Sequence, residues 1–474
     1  MINVEFEFFK SALTSTGHEG ELDDVLKWIA RQNQAVSVSV ETMPIADLAH
    51  WEINQSTGSL CHDSGHFFSI DGIRVRTNSG SIPVWDQPII NQPEIGYLGI
   101  ISKKIDGVLH FLLQAKVEPG NISCVQLSPT LQATRSNYSQ VHGGVKPLYL
   151  EYFQKVESSN ILLDQLQSEQ GARFLIKRNR NMIIYVADDV QKHENFIWLT
   201  LYQIKKLMQY DNLINMDTRT IVSGIQYGNA NQQSAEMIQF LISHNAGSIN
   251  KNSIASSVLG LDGSTNNLTN IFHFLTKIKS KFDLSVEKIP LNQVKDWHIS
   301  KNEIFRDDGK YFKIIGVNVA IGNREVITWQ QPMVKPSQIG ICGFVGKLIN
   351  GTLHFIVQGK VECGNRDIIE FAPTVQCLIG NYRDPDSNPV PFLDYLLNAS
   401  EESIIHDSLQ SEEGGRFYHE QNHNRIVLAD ASFSENLPDN YIWMTLSQLN
   451  FFNRFNNYVN IQARSLLASI ELAS

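Results

Sequence analysis

The sequence is poor in cysteine, the residue that forms disulfides and binds metals through thiolates. Five cysteines, an odd number, occur in 474 residues, and no Cys-x-x-Cys pair is present. Neither a disulfide framework nor a repeated metal site is therefore expected. Apolar runs of membrane-spanning length are missing too, and the first ten residues lack the basic and apolar regions of a signal peptide. We therefore expect a soluble cytoplasmic protein.

Basic residues are also fewer than acidic residues. Lysine and arginine total 39 against 49 aspartates and glutamates, for a net charge of −10. A general nucleic-acid binder is not expected, although a locally basic pocket can still bind an anionic small molecule. Three common signatures are missing: the dinucleotide pattern Gly-x-Gly-x-x-Gly, the phosphate loop Gly-x-x-x-x-Gly-Lys-Ser/Thr and the elbow Gly-x-Ser-x-Gly. Nicotinamide binding, P-loop chemistry and α/β-hydrolase chemistry are therefore not supported.

What the chain has is a repeat of one whole domain. Leu109-His110-Phe111 returns as Leu353-His354-Phe355, and the string Leu-Gln-Ser-Glu-x-Gly-x-Arg-Phe occurs at Leu166–Phe174 and again at Leu409–Phe417. A period this long indicates two copies of a domain rather than a solenoid. We predict a first repeat at residues 1–228, a connector at 229–251 and a second repeat at 252–474.

Each repeat is predicted to be α+β, with a mixed sheet flanked by helices. Apolar residues at helical spacing begin at Leu22, and Gly96–Ser102 and Val108–Val117 alternate as two paired strands. The segment Phe67–Arg76 is predicted to turn at Asp71-Gly72, and a helix is predicted from about Trp198 to Tyr210, with a counterpart from Trp443 to Phe455. One helix is expected near Ala235–Ser243, and Trp51, Trp198, Trp297 and Trp443 are expected in the cores.

Much of what repeats is polar, which favours a repeated pocket over a repeated core. Gln114, Lys116 and Glu118 share one face of a strand because alternate residues point the same way. The set could also be the solvated face of an antiparallel strand, or a structural salt bridge. Its return in the second repeat favours a site that binds phosphates, hydroxyls and a flat ring.

Each repeat is predicted to form its own pocket from its Trp-x-Gln-Pro turn, its Gln-x-Lys-x-Glu strand and its Arg-Phe segment. Arginine suits a diphosphate because a guanidinium can hold two phosphate oxygens. The predicted catalytic side chains are Lys116, Glu118, Tyr138, His142, Lys360, Glu362 and Tyr382. The predicted substrate-binding side chains are Trp85, Gln87, Gln114, Asn121, Thr130, Gln132, Asn137, Ser168, Arg173, Trp329, Gln331, Gln358, Asn365, Thr374, Gln376, Asn381, Ser411 and Arg416.

A zinc-protease-like string, His419-Glu420-Gln421-Asn422-His423, gives a rival hypothesis of a metal-dependent hydrolase. That chemistry needs the string on a helix, whereas here it precedes a predicted strand, and the first repeat has no counterpart. His62 and His66 share the same spacing but are expected in a surface loop. No metal site is predicted.

The strings at Gln114–Asn121, Ser128–Thr134, Ser136–Gly144 and Leu409–Phe417 together resemble the NDP-hexose 2,3-dehydratases. The resemblance covers nearly the whole chain. It implies a Nudix-like fold in each repeat, a homodimer, a dTDP-linked sugar as substrate and a 3-ketoreductase that acts on the product. The Nudix hydrolase signature is absent, so pyrophosphate hydrolysis is not expected.

The implied reaction removes water across C2–C3 of a nucleotide-linked 4-keto-6-deoxyhexose. It needs a base, an acid and donors for an enolate, but no hydride moves, so no cofactor is expected. The first repeat is favoured as the working site because it alone has His142-Gly143-Gly144, where the second has Asp386-Ser387-Asn388. A non-catalytic protein that binds nucleotide sugars in two pockets is the alternative.

Overall fold

The computed structural model describes residues 3–134, 146–227, 249–260, 263–322, 326–382 and 389–472. Within these ranges the two halves follow the same order of elements. The helices of the first half are α1 Val4–Leu13, α2 Leu22–Ala35, α3 Leu150–Gln154, α4 Leu201–Leu207 and α5 Met216–Ser223. Its strands are β1 Val38–Met43, β2 Trp51–Ile53, β3 Leu60–His62, β4 Ser69–Thr77, β5 Val84–Asn91, β6 Gly96–Ile105, β7 Val108–Val117, β8 Val125–Ser128, β9 Leu131–Ala133, β10 Ile161–Ser168, β11 Arg178–Tyr185 and β12 Phe196–Thr200.

The second half repeats this plan. Its helices are α6 Ile249–Leu259, α7 Leu268–Lys281, α8 Leu393–Leu397, α9 Leu446–Asn453 and α10 Ile461–Ser469. Its strands are β13 Leu284–Ile289, β14 Trp297–Ile299, β15 Glu303–Arg306, β16 Phe312–Ile321, β17 Thr328–Pro336, β18 Gly340–Ile349, β19 Thr352–Lys360, β20 Glu370–Ala372, β21 Val375–Leu378, β22 Ile404–Ser411, β23 Gln421–Ala429 and β24 Tyr441–Thr445. The prediction of two similar α+β halves is confirmed.

Each half contains a mixed seven-stranded sheet. In the first, the order is β10-β11-β6-β7-β12, with β8 beside β7 and β9 beside β6. The β11–β6 pair is parallel and the other pairs are antiparallel. The second half has the same arrangement, with β23–β18 as the parallel pair. The predicted turn between β6 and β7 is present, and Asp106 and Gly107 take the positive φ angles of 49° and 77° that such a turn needs.

The β6–β7 hairpin splits partway along its length, and a repeated threonine lies at the split. Strand β9 pairs with the start of β6 while β8 pairs with the end of β7. The Thr130 hydroxyl accepts from the Ile101 amide at 2.9 Å and donates to the Leu112 carbonyl. The hydroxyl therefore provides hydrogen-bond partners for the buried Ile101 amide and the buried Leu112 carbonyl at the point where the two strands separate. Thr374 does the same in the second half.

The two halves exchange strands. Strand β1 of the first half pairs with β16 of the second, and β13 of the second half pairs with β4 of the first. Gly72 lies inside β4, where a Cβ atom would come within 2.6 Å of the Ile289 carbonyl on the incoming strand. The predicted turn at Asp71-Gly72 is therefore wrong: the glycine allows close approach of a neighbouring strand rather than a reversal of the chain.

The paired helices α5 and α10 pack together at the junction of the halves. The helix predicted from Trp198 begins three residues later, because Phe196–Thr200 forms β12 and Thr200 then caps α4 by accepting from the Gln203 amide. The same correction applies to Trp443, which lies in β24. The four predicted core tryptophans are all buried. The helix expected near Ala235–Ser243 lies outside the described residues, and α6 begins at Ile249, inside the segment predicted as a connector.

One apolar core runs through both halves. It joins the inner faces of the two seven-stranded sheets with the helices packed between and around them, including α2, which begins at Leu22 as predicted. Because this core and the exchanged strands are shared, neither half buries all of its apolar surface alone.

Candidate active site

A cavity of about 620 Å³ opens beside the end of β7. It is large enough for a small ligand. Its walls come from both halves of the chain. From the first half they include Lys116, Glu118, Gln132, Lys177, Asn179 and Asp217, and from the second Trp329, Gln330, Gln331, Glu413, Gly415 and Arg416.

The repeated polar strand lines one wall. The Lys116 ammonium donates to Gln132 Oε1 at 2.9 Å, and Gln132 Nε2 donates to Glu118 Oε1 at 2.9 Å. Lys116 Nζ lies 3.9 Å from the same carboxylate oxygen. The other oxygen, Oε2, is buried and has no hydrogen-bond partner among the described residues. Gln132 therefore orients an ammonium and a carboxylate side by side, with one carboxylate oxygen left over for a ligand.

The opposite wall belongs to the second repeat, which corrects the prediction that each repeat forms a pocket from its own segments. The Gly120 amide donates to the Gly414 carbonyl at 2.7 Å, and the His419 amide donates to the Gly120 carbonyl at 3.0 Å. A Cβ at Gly414 would lie 2.9 Å from the Glu118 Cβ. The repeated glycines thus let the Glu-Pro-Gly-Asn turn of one repeat pack against the Arg-Phe segment of the other.

Arg416 projects into this cavity as a half-buried cation. Its guanidinium lies 4.2 Å from the centre of the Phe68 ring, and its Nη2 donates to Gln92 Oε1 at 3.3 Å. Its Nε is buried with no hydrogen-bond partner in the described part of the chain. Arg173 occupies the equivalent place over Phe312, on the side of the second repeat. Both arginines therefore face the polar strand of the opposite repeat.

Two carboxyl groups that the sequence analysis missed complete the cavity, Asp217 and Glu413. Burial is the main reason why the pKa of Asp217 is raised well above its ordinary value, and the nearby charges of Glu413 and Glu169 add to this effect. Burial also raises the pKa of Glu413 to about 7, although the Arg416 guanidinium opposes the shift. The cavity thus holds groups suited to proton transfer near neutral pH.

Lys177 adds a third cation to the cavity, beside Lys116 and Arg416. It is 5% exposed and donates to the Glu94 carbonyl. Burial lowers the pKa of Lys177, although the charges of Glu169 and Glu413 partly offset the effect. The sequence did carry a signal for these missed groups, because the two repeats differ at all three aligned positions. The aligned pairs, first repeat before second, are Asp217 and Gln462, Gln170 and Glu413, and Lys177 and Glu420.

Several predicted binding residues have structural partners instead of cavity positions. Gln87 accepts from Trp85 Nε1 and donates to the Ala172 carbonyl, so it holds the Arg-Phe segment of its own half. Gln331 does the same with Trp329 and Gly415, though both of these side chains also reach the cavity wall. Thr130 and Thr374 close the hairpin splits described above.

Ser168 and Ser411 lie at the buried junction of the halves. The Ser168 hydroxyl donates to Glu370 Oε2 at 2.8 Å, and the Ser411 hydroxyl donates to Gln126 Oε1 at 3.0 Å. Asn121 is buried in its turn, where it donates to the Cys124 carbonyl at 2.9 Å. The large cavity is not lined by Ser168, Ser411, Asn121, Asn365, Gln114, Gln358, Asn381 or Tyr382. Asn137, Tyr138 and His142 lie outside the described residues.

The equivalent place in the second repeat keeps Lys360, Glu362 and Gln376 but connects them differently. Gln376 Nε2 still donates to Glu362 Oε1 at 2.9 Å. Its Oε1, however, accepts from Asn460 at 2.7 Å, and Lys360 turns to the Gln376 backbone carbonyl at 3.2 Å. Burial raises the pKa of Glu362. The lysine and the glutamate are therefore not joined through the glutamine side chain as they are in the first repeat.

The His419–His423 string lies in no helix. Residues from Gln421 onward form β23, and His419, at a positive φ of 52°, stacks on Tyr418 with ring centres 4.2 Å apart. Across the described ranges, no group of three or more His, Cys, Asp or Glu side chains is arranged to hold a metal ion. Within the same ranges, no helix has the length and apolar character needed to cross a bilayer.

Fold and cavity together define the class: a two-repeat α+β protein with a composite site suited to acid–base chemistry on an anionic, hydroxyl-rich ligand. A model of the NDP-hexose 2,3-dehydratase family matches residues 22–225 and 268–470. The chain therefore belongs to the NDP-hexose 2,3-dehydratase family. The predicted family membership, and with it the prediction that the chain is an enzyme, are confirmed.

Relatives described as dTDP-4-dehydro-6-deoxy-alpha-D-glucopyranose 2,3-dehydratases match over nearly their whole lengths. The one from Saccharopolyspora spinosa is 42% identical, over 98% of this chain and 94% of the relative. The one from Amycolatopsis orientalis is 41% identical, over 98% and 93%, and the one from Streptomyces violaceoruber 38% identical, over 94% and 95%.

Proposed function

We propose that the composite cavity on the first repeat removes water across C2–C3 of a dTDP-linked 4-keto-6-deoxyhexose. The observation that carries this proposal is the meeting of Lys116, Glu118 and Asp217 with Glu413 and Arg416 in one cavity. Acidic groups with raised pKa, a carboxylate with one unpartnered oxygen and three cations supply what the reaction needs. The activity printed for the relatives supports the choice of substrate.

The chemistry follows from the C4 ketone, which acidifies the C3 proton. Glu118 removes that proton through its unpartnered Oε2, and the Lys116 ammonium stabilises the negative charge that develops on O4. The electron pair then forms the C2=C3 bond while the C2–O bond breaks. Asp217, whose pKa is raised chiefly by burial, protonates the departing hydroxyl, which leaves as water. The resulting enol tautomerises to a 3,4-diketo-2,6-dideoxysugar.

Arg416 is the proposed partner of the diphosphate. It lies in the same cavity as the polar strand, is half-buried, and has a buried Nε with no hydrogen-bond partner among the described residues. A guanidinium in this position can bridge two phosphate oxygens. Tyr138 and His142 remain predicted participants in proton transfer.

The test is to incubate the protein with dTDP-4-keto-6-deoxyglucose in deuterated water. We expect loss of one water, deuterium at C2 after tautomerisation, and a product that a 3-ketoreductase can trap. Bound but unchanged sugar would instead support the non-catalytic binding protein. Chelator-sensitive release of phosphate would support the metal-dependent hydrolase.

Four finer features belong to the same proposal. Each repeat is proposed to be Nudix-like, which its mixed sheet with flanking helices supports. The repeats are proposed to divide the chain near residues 229–251. A 3-ketoreductase is the proposed consumer of the reactive diketone. The chain is proposed to be a homodimer, for which light scattering should give twice its 53.6 kDa; the mass of a single chain would contradict this.

A further inference from the structure

The two acids of the cavity come from different halves of the chain. Asp217 lies in the first turn of α5, and Glu413 follows the end of β22. The distance between their carboxyl groups is therefore set by contacts between the halves rather than by the chain itself. Proton transfer is sensitive to such distances, because a misplacement of about 1 Å can cost about a hundredfold in rate. Whatever holds α5 against the end of β22 therefore bears on the reaction.

Arg219, further along α5, makes this connection. Its Nη1 donates to the Ile214 carbonyl, just before α5, at 2.9 Å and to Gln410 Oε1 at 2.6 Å. Its Nη2 donates to the Ser411 carbonyl. Gln410 and Ser411 are the last two residues of β22. One guanidinium thus links the start of α5 to the end of a strand from the other half.

The side chain of Arg219 is buried, and it does not line the cavity. Burial lowers the pKa of Arg219 to about 10, although the nearby charges of Glu412 and Asp217 oppose the shift. The guanidinium therefore stays charged at neutral pH, and hydrogen bonds from a charged donor are the short and strong ones. Any effect of Arg219 on the reaction has to pass through the residues that it holds.

The equivalent arginine of the second repeat is connected less completely. Arg464 donates to the Val459 carbonyl at 2.5 Å and to the Ser168 carbonyl. Gln167, the counterpart of Gln410, has a buried Oε1 with no hydrogen-bond partner among the described residues. The residues that follow these contacts are the two glutamines that replace the acids, and an amide cannot give or take a proton.

From these contacts we propose that Arg219 is a positioning residue, which sets the distance between the Asp217 and Glu413 carboxyl groups by holding α5 against β22. This inference rests on the proposed function, because it takes Asp217 as the acid that protonates the departing hydroxyl. It adds to that function a role for a side chain outside the cavity.

The first test compares Arg219→Lys with Arg464→Lys in turnover of dTDP-4-keto-6-deoxyglucose. Lysine keeps the charge, but its ammonium lacks the planar fork that reaches acceptors on two sides. Rates are expressed per folded molecule, with the folded fraction taken from urea denaturation. For Arg219→Lys we expect kcat to fall by about a hundredfold while KM stays within about twofold. Arg464→Lys, the matched control, should be destabilised to a similar extent but keep the kcat of the wild type.

A double variant tests whether Arg219 acts through Asp217. Once the acid is lost, its position no longer matters, so adding Arg219→Lys to Asp217→Asn should cost much less than Arg219→Lys costs alone. Losses that multiply in full would overturn the positioning role.

A milder pair, Gln410→Met and Gln167→Met, carries the test if Arg219→Lys does not fold. Both changes remove a bond from Nε2 to a backbone carbonyl, at 2.8 Å and 2.6 Å, but Gln410→Met also removes an acceptor of Arg219. Gln410→Met should be slower by about tenfold, and Gln167→Met should match the wild type.

Wild-type kcat in Arg219→Lys, or in Gln410→Met where it replaces that variant, would overturn the inference, as would an equal loss in the matched control. If Asp217→Asn is slow while Arg219→Lys is normal, the positioning role fails and the proposed function stands. If Asp217→Asn itself turns over normally, the proposed acid fails and the positioning role fails with it.

Discussion

Asp217 and Glu413 are two acids of the cavity on the first repeat that the equivalent place on the second repeat lacks. The polar strand is the same in both, but the equivalent place on the second repeat has Gln462 and, contributed by the first repeat, Gln170 in the positions of these two acids. An amide can hydrogen-bond to a hydroxyl but cannot give or take a proton. The difference favours the first repeat's cavity as the place where protons move, independently of the His142 segment.

We expect Asp217→Asn to lower turnover by about a hundred- to ten-thousandfold, because an acid that delivers a proton is lost while the shape is kept.

Glu413→Gln should remove an ionisation near pH 7 from the profile of rate against pH, since the pKa of Glu413 is raised to about 7. The matched control is Gln462→Asn, which should leave both the rate and the profile unchanged. Steady-state rates measured for each variant between pH 5 and 9 test both predictions. An unchanged profile in Glu413→Gln would exclude Glu413 as the titrating group.

Arg219 and Arg464 show repeated residues with a structural role. Each is only 1% exposed. Arg219 donates to Gln410 Oε1 at 2.6 Å and to the Ser411 carbonyl, both in the other half of the chain. Arg464, in the second half, donates to the Ser168 carbonyl of the first half. These arginines satisfy buried carbonyls across the junction, where an apolar side chain could not.

Arg219→Ala should therefore lower the free energy of unfolding by about 3 to 5 kcal/mol, since it leaves a void and buried acceptors without donors. Urea denaturation measures the change. Arg76→Ala, which removes an exposed pair with Glu287, should cost less than about 1 kcal/mol. Equal and small effects in both variants would contradict a structural role for Arg219.

At the scale of residues, the sequence predicted the Lys116, Glu118 and Gln132 set because their spacing on two strands repeats. It also predicted Arg416. It did not predict Asp217 or Glu413, because a helix and a loop from different halves bring them to the cavity. It also assigned Thr130, Ser168 and Gln87 to ligand binding. A repeated polar residue can equally serve a repeated fold, and only the structure shows which carbonyl or amide it satisfies.

At the scale of secondary-structure elements, the main feature is the exchange of strands between the two halves. Alternating residues predicted the pairing of β6 with β7 correctly, and β18 pairs with β19 in the same way in the second half. Period alone does not say which half a strand joins, so β1 and β13 could not be placed from sequence. The same limit explains the error at Gly72, since a glycine within a strand can mark either a turn or a close neighbour.

Because of this exchange, a fragment of residues 1–240 lacks β13 and Arg416, and a fragment of residues 241–474 lacks β1 and Lys116. We expect each fragment alone to be poorly soluble and inactive, while co-expression gives a copurifying, active pair. Affinity capture through a tag on one fragment, followed by the dehydration assay, tests this. A first fragment that is active by itself would rule out a site shared between the halves.

At the scale of the whole molecule, most of the correct predictions rest on the repeat in the sequence. It predicted two similar α+β halves, and its polar strings led to the family. It could not predict that the halves are interlocked, because the same strings would arise from two independent pockets. Interlocking gives one cavity contributions from both copies, and this lets the copies diverge while the fold is kept.

The most direct test of the central claim compares two matched variants, Glu118→Gln and Glu362→Gln, by turnover of dTDP-4-keto-6-deoxyglucose with dTDP binding measured separately. Both glutamates accept from an equivalent glutamine at 2.9 Å, so the changes are alike in structure. We predict that Glu118→Gln loses about a hundred- to ten-thousandfold in rate while Glu362→Gln turns over as the wild type does. Normal turnover by Glu118→Gln with an inactive Glu362→Gln would place the active site on the second repeat and contradict the account.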